Sequence, residues 1–157
     1  LPRVWLAPRA EAVTAQTALQ RVRGESLSVT DWRQTALLEI APTALPAALQ
    51  ENVASSSGAQ ARIVRHHANR LVIETEAERP TVLVVSEVFH PGWRATLDGA
   101  ATRIYATDYL LRGVIVPAGK HRIVMRYVAP AAQRGALLAG VTLLMFLAVI
   151  IYARRIV

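Results

Sequence analysis

Cysteine is absent from the 157 residues, which excludes disulfides, thiolate metal sites and cysteine nucleophiles together. The compartment stays open, because extracytoplasmic bacterial proteins also do without cysteine. Lysine occurs once, at Lys120, so the formal charge of +7 is carried by seventeen arginines. These form no block and are not interleaved with stacking aromatics, which excludes a nucleic-acid platform. Solvated arginines near anionic lipid head groups are the better reading. No GxSxG elbow, P-loop, GxGxxG or HExxH helix is present. His66 and His67 are neighbours on a strand and point to opposite faces, and His90 and His121 lie far off in sequence, so no metal is expected. Glu74 and Glu76 sit on one strand face, Glu87 ends a strand and Asp98 lies in a turn. No catalytic residue and no cofactor are therefore expected in this chain. The sequence opens Leu1-Pro2-Arg3 with no initiator methionine and no visible signal-peptide pattern, so a processed product or a piece of something longer is expected.

What is present centres on Ser86 to Gly99, SEVFHPGWRATLDG. A strand from Thr81 to Phe89 runs into it, and His90-Pro91-Gly92 breaks the ladder, since proline cannot donate its amide. From Trp93 the alternation is clean: Trp93, Ala95 and Leu97 share one face, Arg94, Thr96 and Asp98 the other. Asp98-Gly99 is a strong hairpin signal. The chain returns through Thr102 to Thr107, Tyr109 to Val116 and Lys120 to Val128, with a turn at Pro117-Ala118-Gly119. Upstream, Arg3 to Ala7, Thr35 to Ile40, Ala61 to His67 and Leu71 to Glu76 read as strands. Ala10 to Val22 reads as a helix with Gly24 as its cap. Residues 41–60, with two prolines and a serine triplet, read as an irregular linker with a short helical turn near Ala47 to Gln50. The fold class is mainly β: an antiparallel sandwich or jelly-roll-like domain over 1–133, with one short N-terminal helix.

Residues 134–157 change character. Ala136 to Ala153 carries no charge over eighteen residues, roughly 27 Å as a helix against a hydrocarbon thickness of ~30 Å. A C-terminal transmembrane helix with a short basic tail is expected. Arg154 and Arg155 suggest a cytoplasmic C-terminus. Gly135 with Ala139, and Ala136 with Gly140, form small-xxx-small pairs that suit packing against other transmembrane helices.

Among the aromatics, Trp93 is expected to fill the core beneath the Pro91-Gly92 turn. Tyr105, Tyr109 and Arg112 are the surface candidates for contact with a glycan or a lipid phosphate.

The run from Ser86 to Gly99, the "VPAG" turn at Val116 to Gly119, the Arg126-Tyr127 pair and the apolar helix beyond it together resemble the C-terminal end of the bacterial YfhO family. Within that pattern Pro91, Gly92, Trp93, Asp98 and Gly99 are the structural motif. The resemblance implies an extracytoplasmic β-domain and last membrane span of a large multi-spanning protein with glycosyltransferase-C-like architecture. It further implies a polyprenyl-phosphate sugar donor, an envelope-glycan acceptor, and a catalytic acid in an early loop to which nothing here corresponds. The expected function is a non-catalytic accessory domain of such an enzyme, in the cell membrane with the β-domain outside. Its partners would be the bilayer, sibling transmembrane helices, and an envelope glycan or a polyprenyl-phosphate sugar, without nucleic acid. A membrane-anchored carbohydrate-binding module without enzymatic activity is the alternative. A tail-anchored cytosolic protein would follow if the chain were complete.

Overall fold

The computed structural model describes residues 2–25, 30–51, 58–129, 138–146, 148 and 151. The chain forms two compact units, Leu1–Tyr127 and Val128–Val157.

The first unit is a two-sheet β-sandwich. One sheet has six strands in the order β1 (Val4–Ala7), β6 (Thr81–Val85), β10 (Leu111–Val116), β9 (Tyr105–Thr107), β3 (Thr35–Leu38) and β2 (Arg9–Ala12). The other has five in the order β4 (Gln60–His67), β5 (Arg70–Ala77), β11 (Gly119–Tyr127), β7 (Trp93–Leu97) and β8 (Ala100–Thr102). All pairings among the described residues are antiparallel except β2 with β3.

Alternation decides which side chains fill the sandwich. Leu83 and Val85 from β6, Val114 and Val116 from β10, Leu71 and Ile73 from β5, and Ile123 and Met125 from β11 make one core cluster between the sheets. The six-stranded sheet also buries its other face. Trp5, Ala7, Val82 and Val84 pack there with Leu45 and Leu49. That is why every residue of β6 is buried: a central strand covered on both sides reads as a continuous apolar run rather than an alternating one. The cover includes two short 3-10 turns, Pro42–Ala44 and Ala47–Leu49. Within the stretch 41–60 that reads as a linker, Leu45 and Leu49 thus carry part of the core. Residues 52–57 lie outside the described ones. The five-stranded sheet keeps its outer face wet, with Glu74, Glu76, Arg122 and Arg126 at least partly exposed.

Turn chemistry fixes the register. Asp98 and Gly99 take φ of 51° and 89°, the doubly positive geometry of a two-residue hairpin loop, and join β7 to β8. Gly119 takes φ 117° where the chain leaves the six-stranded sheet through Pro117 and enters the five-stranded one. Trp93 N–H donates to the His90 carbonyl at 3.0 Å, closing the turn around Pro91-Gly92.

Three sequence expectations are corrected. The strand from Thr81 stops at Val85 rather than Phe89, because Glu87 N–H folds back on the Val85 carbonyl at 2.7 Å and Phe89 N–H turns to Leu110. The helix expected from Ala10 begins at Ala15 and ends at Val22 (α1). Arg9 to Ala12 is β2 instead, drawn into a parallel ladder with β3, and alanine-rich sequence does not itself resist that pairing. Thr14 caps α1 by accepting from Thr17 N–H at 3.2 Å. At the other end Glu25 N–H reaches the Gln20 carbonyl and Gly24 N–H the Arg21 carbonyl, the Schellman pattern with Gly24 at φ 71°. Third, the strand expected from Thr102 to Thr107 is broken: β8 ends at Thr102 and β9 begins at Tyr105, in the other sheet.

In the second unit residues 138–146 are helical. Leu138, Val141, Leu143, Leu144, Met145 and Phe146 are all more than half exposed, so the apolar surface continues around this helix. No helix among the described residues is long and apolar enough to cross a membrane. Residues 136, 137, 147, 149, 150, 152 and 153 of the expected span at 136–153, together with Gly135 and the basic tail, lie outside the described residues. Ala139 and Gly140 are helical and exposed.

Candidate functional site

Two polar constellations occupy opposite ends of the sandwich. The first is an ion-pair hub. Arg112 sits on β10 opposite Val85, two residues before Val114, so alternation turns it into the interior, where it is 1% exposed. Its guanidinium pairs with Glu87 Oε2 and lies 4.0 Å from the Trp93 ring centroid. The other carboxylate oxygen of Glu87 accepts from Arg3 Nη2 at 2.8 Å. His66 Nε2 is 2.8 Å from Arg3 Nη2 and 3.2 Å from that same oxygen. A guanidinium only donates, so the shorter contact uses the Nε2 lone pair. Burial pushes the Glu87 carboxyl upward. The hydrogen bond from Arg3 and the charge of Arg112 outweigh it and hold Glu87 below the usual carboxylate range. Arg112 is itself pulled down by burial, with Glu87 opposing. Trp93, half-buried against the core, meets Tyr127 edge-on at 5.6 Å, and Tyr127 meets His90 at 5.4 Å. The hub ties both sheets together: Arg3 and Arg112 belong to one, His66 and Trp93 to the other.

The second constellation is a groove of about 540 Å³ at the other end of the five-stranded sheet. Cross-strand register builds it. Arg62, Glu74 and Arg122 stand in one row and Gln60, Glu76 and Lys120 in the next. Arg62 pairs with Glu74 at 2.7 Å and Lys120 with Glu76 at 3.3 Å. The Asp98 hairpin closes one side. Asp98 Oδ1 accepts from Arg122 N–H at 2.7 Å and Oδ2 lies 2.6 Å from His121 Nδ1. The other ring nitrogen of His121 faces the Ala118 carbonyl at 3.1 Å. Both nitrogens therefore face acceptors, which only the doubly protonated imidazolium satisfies. The Asp98 hydrogen bond raises the His121 pKa above its ordinary value, against a small opposing effect of burial. His121 in turn holds Asp98 down, helped by the Arg122 amide. Asp98→Asn should bring the His121 midpoint down towards the ordinary histidine value. An imidazole NMR titration checks this; an unmoved midpoint would show that Asp98 does not set the charge.

The structure does not gather the three expected surface contacts onto one surface. Arg112 is interior, held by Glu87 and Trp93. Tyr105 pairs with Gly113, so it lies on the opposite face of the sheet from Arg112. It packs against the second core cluster, with Arg103 5.1 Å from its ring. Tyr109 is partly exposed in the β9–β10 loop at φ 70°. Of the motif residues, Trp93, Asp98 and Gly99 have the turn and core positions just described, and Gly92 donates its N–H to His90 Nδ1 at 3.0 Å.

Sequence reading passed over Asp108. It is 7% exposed at φ 49°, and its Oδ1 accepts from Leu37 N–H at 2.8 Å while Oδ2 has no partner. Burial pushes its pKa up to about 6, against the pull of the Leu37 hydrogen bond. The signal was an aspartate beside a bulky residue between two strands, which marks a turn with positive φ. Among the described residues no group of three or more acidic or histidine side chains is placed to hold a metal ion.

Fold and surface thus define a class: a two-sheet β-sandwich whose chain runs on into an apolar helical segment. The model of the bacterial membrane protein YfhO family matches residues 36–139, and the chain belongs to that family. Searches of curated proteins and of solved structures each found no match.

Proposed function

We propose that this chain is a non-catalytic accessory domain, extracytoplasmic and held at the cell membrane, of a larger glycosyltransferase-C-like protein that transfers sugar from a polyprenyl-phosphate donor to an envelope glycan. In this reading the apolar segment at 136–153 is its transmembrane anchor, with the C-terminus in the cytoplasm, and the sandwich helps to hold the glycan. Membership of a membrane-protein family supports the setting, and the unbroken apolar surface of residues 138–146 supports the anchor.

The observation that carries the reading is the Asp98 groove. The six-stranded sheet is covered on both faces, so the outer face of the five-stranded sheet is the broad polar surface of the domain. The groove there offers carboxylates, an amide and cations side by side, a donor-and-acceptor mixture suited to a ligand rich in hydroxyls. Glu87, Asp98 and Asp108 are engaged by arginines, backbone amides or His121, which are structural duties.

The test is titration of the full chain in detergent micelles with envelope-glycan fragments and polyprenyl-phosphate analogues, followed by amide chemical shifts. Saturable shifts at Asp98 and Lys120 to Arg122 are expected with the glycans. Shifts confined to Tyr105 and Tyr109 would move the contact to the other sheet, and silence across the panel from a well-folded spectrum would sink the reading.

A further inference from the structure

The outer face of the five-stranded sheet is divided by charge. Near the Asp98 groove, acids and bases alternate across the strands. At the opposite end the register sets Arg70, Arg126 and Arg94 directly side by side on β5, β11 and β7. His67 on β4 continues the row beyond Arg70. In the next row, Arg65 stands beside Val72, which faces Val124 and then Thr96. No carboxylate pairs with any of these four arginines among the described residues.

Like charges directly opposite one another destabilise a sheet, and on this same sheet Arg62–Glu74 and Lys120–Glu76 show the stabilising arrangement. Arg94 and Arg126 are exposed and line a groove of about 230 Å³ floored by Thr96 and Val124. Arg94 is steadied by donating Nη1 to the Pro91 and Trp93 carbonyls at 2.7 and 3.1 Å, which leaves its other nitrogens for a ligand. Arg70 Nε is buried without a partner. Strands ~4.8 Å apart place the three arginine Cα atoms over about 10 Å, a span over which side chains with the planar fork of arginine can bind phosphate oxygens in pairs.

We propose that Arg70, Arg94 and Arg126 form a phosphate-binding row, and that its ligand is the head group of an anionic phospholipid. The lipid source follows from the apolar helical segment in the same chain, so the proposal shares the membrane setting of the reading above but not its glycan ligand.

The experiment uses the full chain in nanodiscs of phosphatidylcholine, with and without phosphatidylglycerol. Adding phosphatidylglycerol should shift the signals of Arg94, Thr96, Val124 and Arg126 saturably, and salt should reverse the effect. Arg94→Gln and Arg126→Gln should each weaken the response about fivefold, while the unfolding midpoint of Arg126→Gln stays level or rises, because a repulsion is relieved. Identical spectra in neutral and anionic discs would overturn the proposal, as would a response to inorganic phosphate alone, which would mark a soluble anion as the ligand. Failure to enter neutral discs would count against the anchor only. Short-chain phosphatidylglycerol in solution then reads the row directly, and absence of the same shifts overturns it.

Discussion

Glu87→Ala is expected to lower the unfolding free energy by about 3–5 kcal/mol, the cost of leaving a buried charge without its partner. Arg112 is 1% exposed, and its Nε and Nη1 already lack hydrogen-bond partners. The Trp93 ring beneath it offers a cation–π contact worth on the order of 2 kcal/mol when desolvated, too little to replace a carboxylate. Arg3 loses its acceptor in the same step. The double variant Glu87→Leu with Arg112→Met should be much less damaged, since replacing a buried pair by apolar groups of similar volume is often close to neutral. Urea unfolding measures both. A loss below about 1 kcal/mol in Glu87→Ala would mean that the hub is ornamental. Because the folded pKa of Glu87 lies below its ordinary value, its contribution is present above about pH 4.5 and disappears as pH falls through the folded value.

Asp108 acts with the opposite sign. Its pKa is raised from 3.8 to about 6 in the fold, so the folded protein binds a proton more readily than the unfolded chain. Stability from this group is complete below the unfolded pKa and is lost as pH rises through the folded one. A shift of about two units corresponds to about 3 kcal/mol. Roughly half should be regained on going from about pH 8 to pH 5. His121, with its own raised pKa, adds a change in the same direction, so the comparison must be with a variant. Asp108→Asn tolerates the positive φ and keeps an acceptor for Leu37 N–H, but it cannot titrate. Its stability should depend less on pH than that of the parent chain over this window. Parallel curves for the two proteins would show that Asp108 is ionised in the fold at little cost.

How far the sequence could be read depended on whether a feature was local. Trp93 to Leu97 alternates, and Asp98-Gly99 has the turn chemistry that the hairpin needs, so β7, β8 and their loop were legible. Arg112 reads as a surface residue by its charge, although the pattern contains the answer: Val114 and Val116 face inward, and two residues back on the same strand must face inward too. Ala10 to Ala12 reads as helix because alanine favours helix locally and the parallel partner at Thr35 is a tertiary fact. The cover provided by Leu45 and Leu49 was hidden by prolines and small residues that read as a linker. The row of Arg70, Arg94 and Arg126 could not be seen at all, because it exists only once three strands far apart in sequence are in register.

That dependence on distant partners has a consequence for how the domain is made. Val4 pairs with Val85, and Arg9 pairs with Thr35, so the first strand waits for some half of the chain to be synthesised before its ladder can close. Loop closure over such a separation is slow, and contacts of this kind place sandwiches among the slower-folding topologies. Meanwhile Val4 to Ala7, an apolar strand whose partner β6 comes much later in the chain, stands unpaired and able to pair with another nascent chain. The strand order therefore predicts slow closure of this sheet and an exposed pairing edge until residue 85 is available.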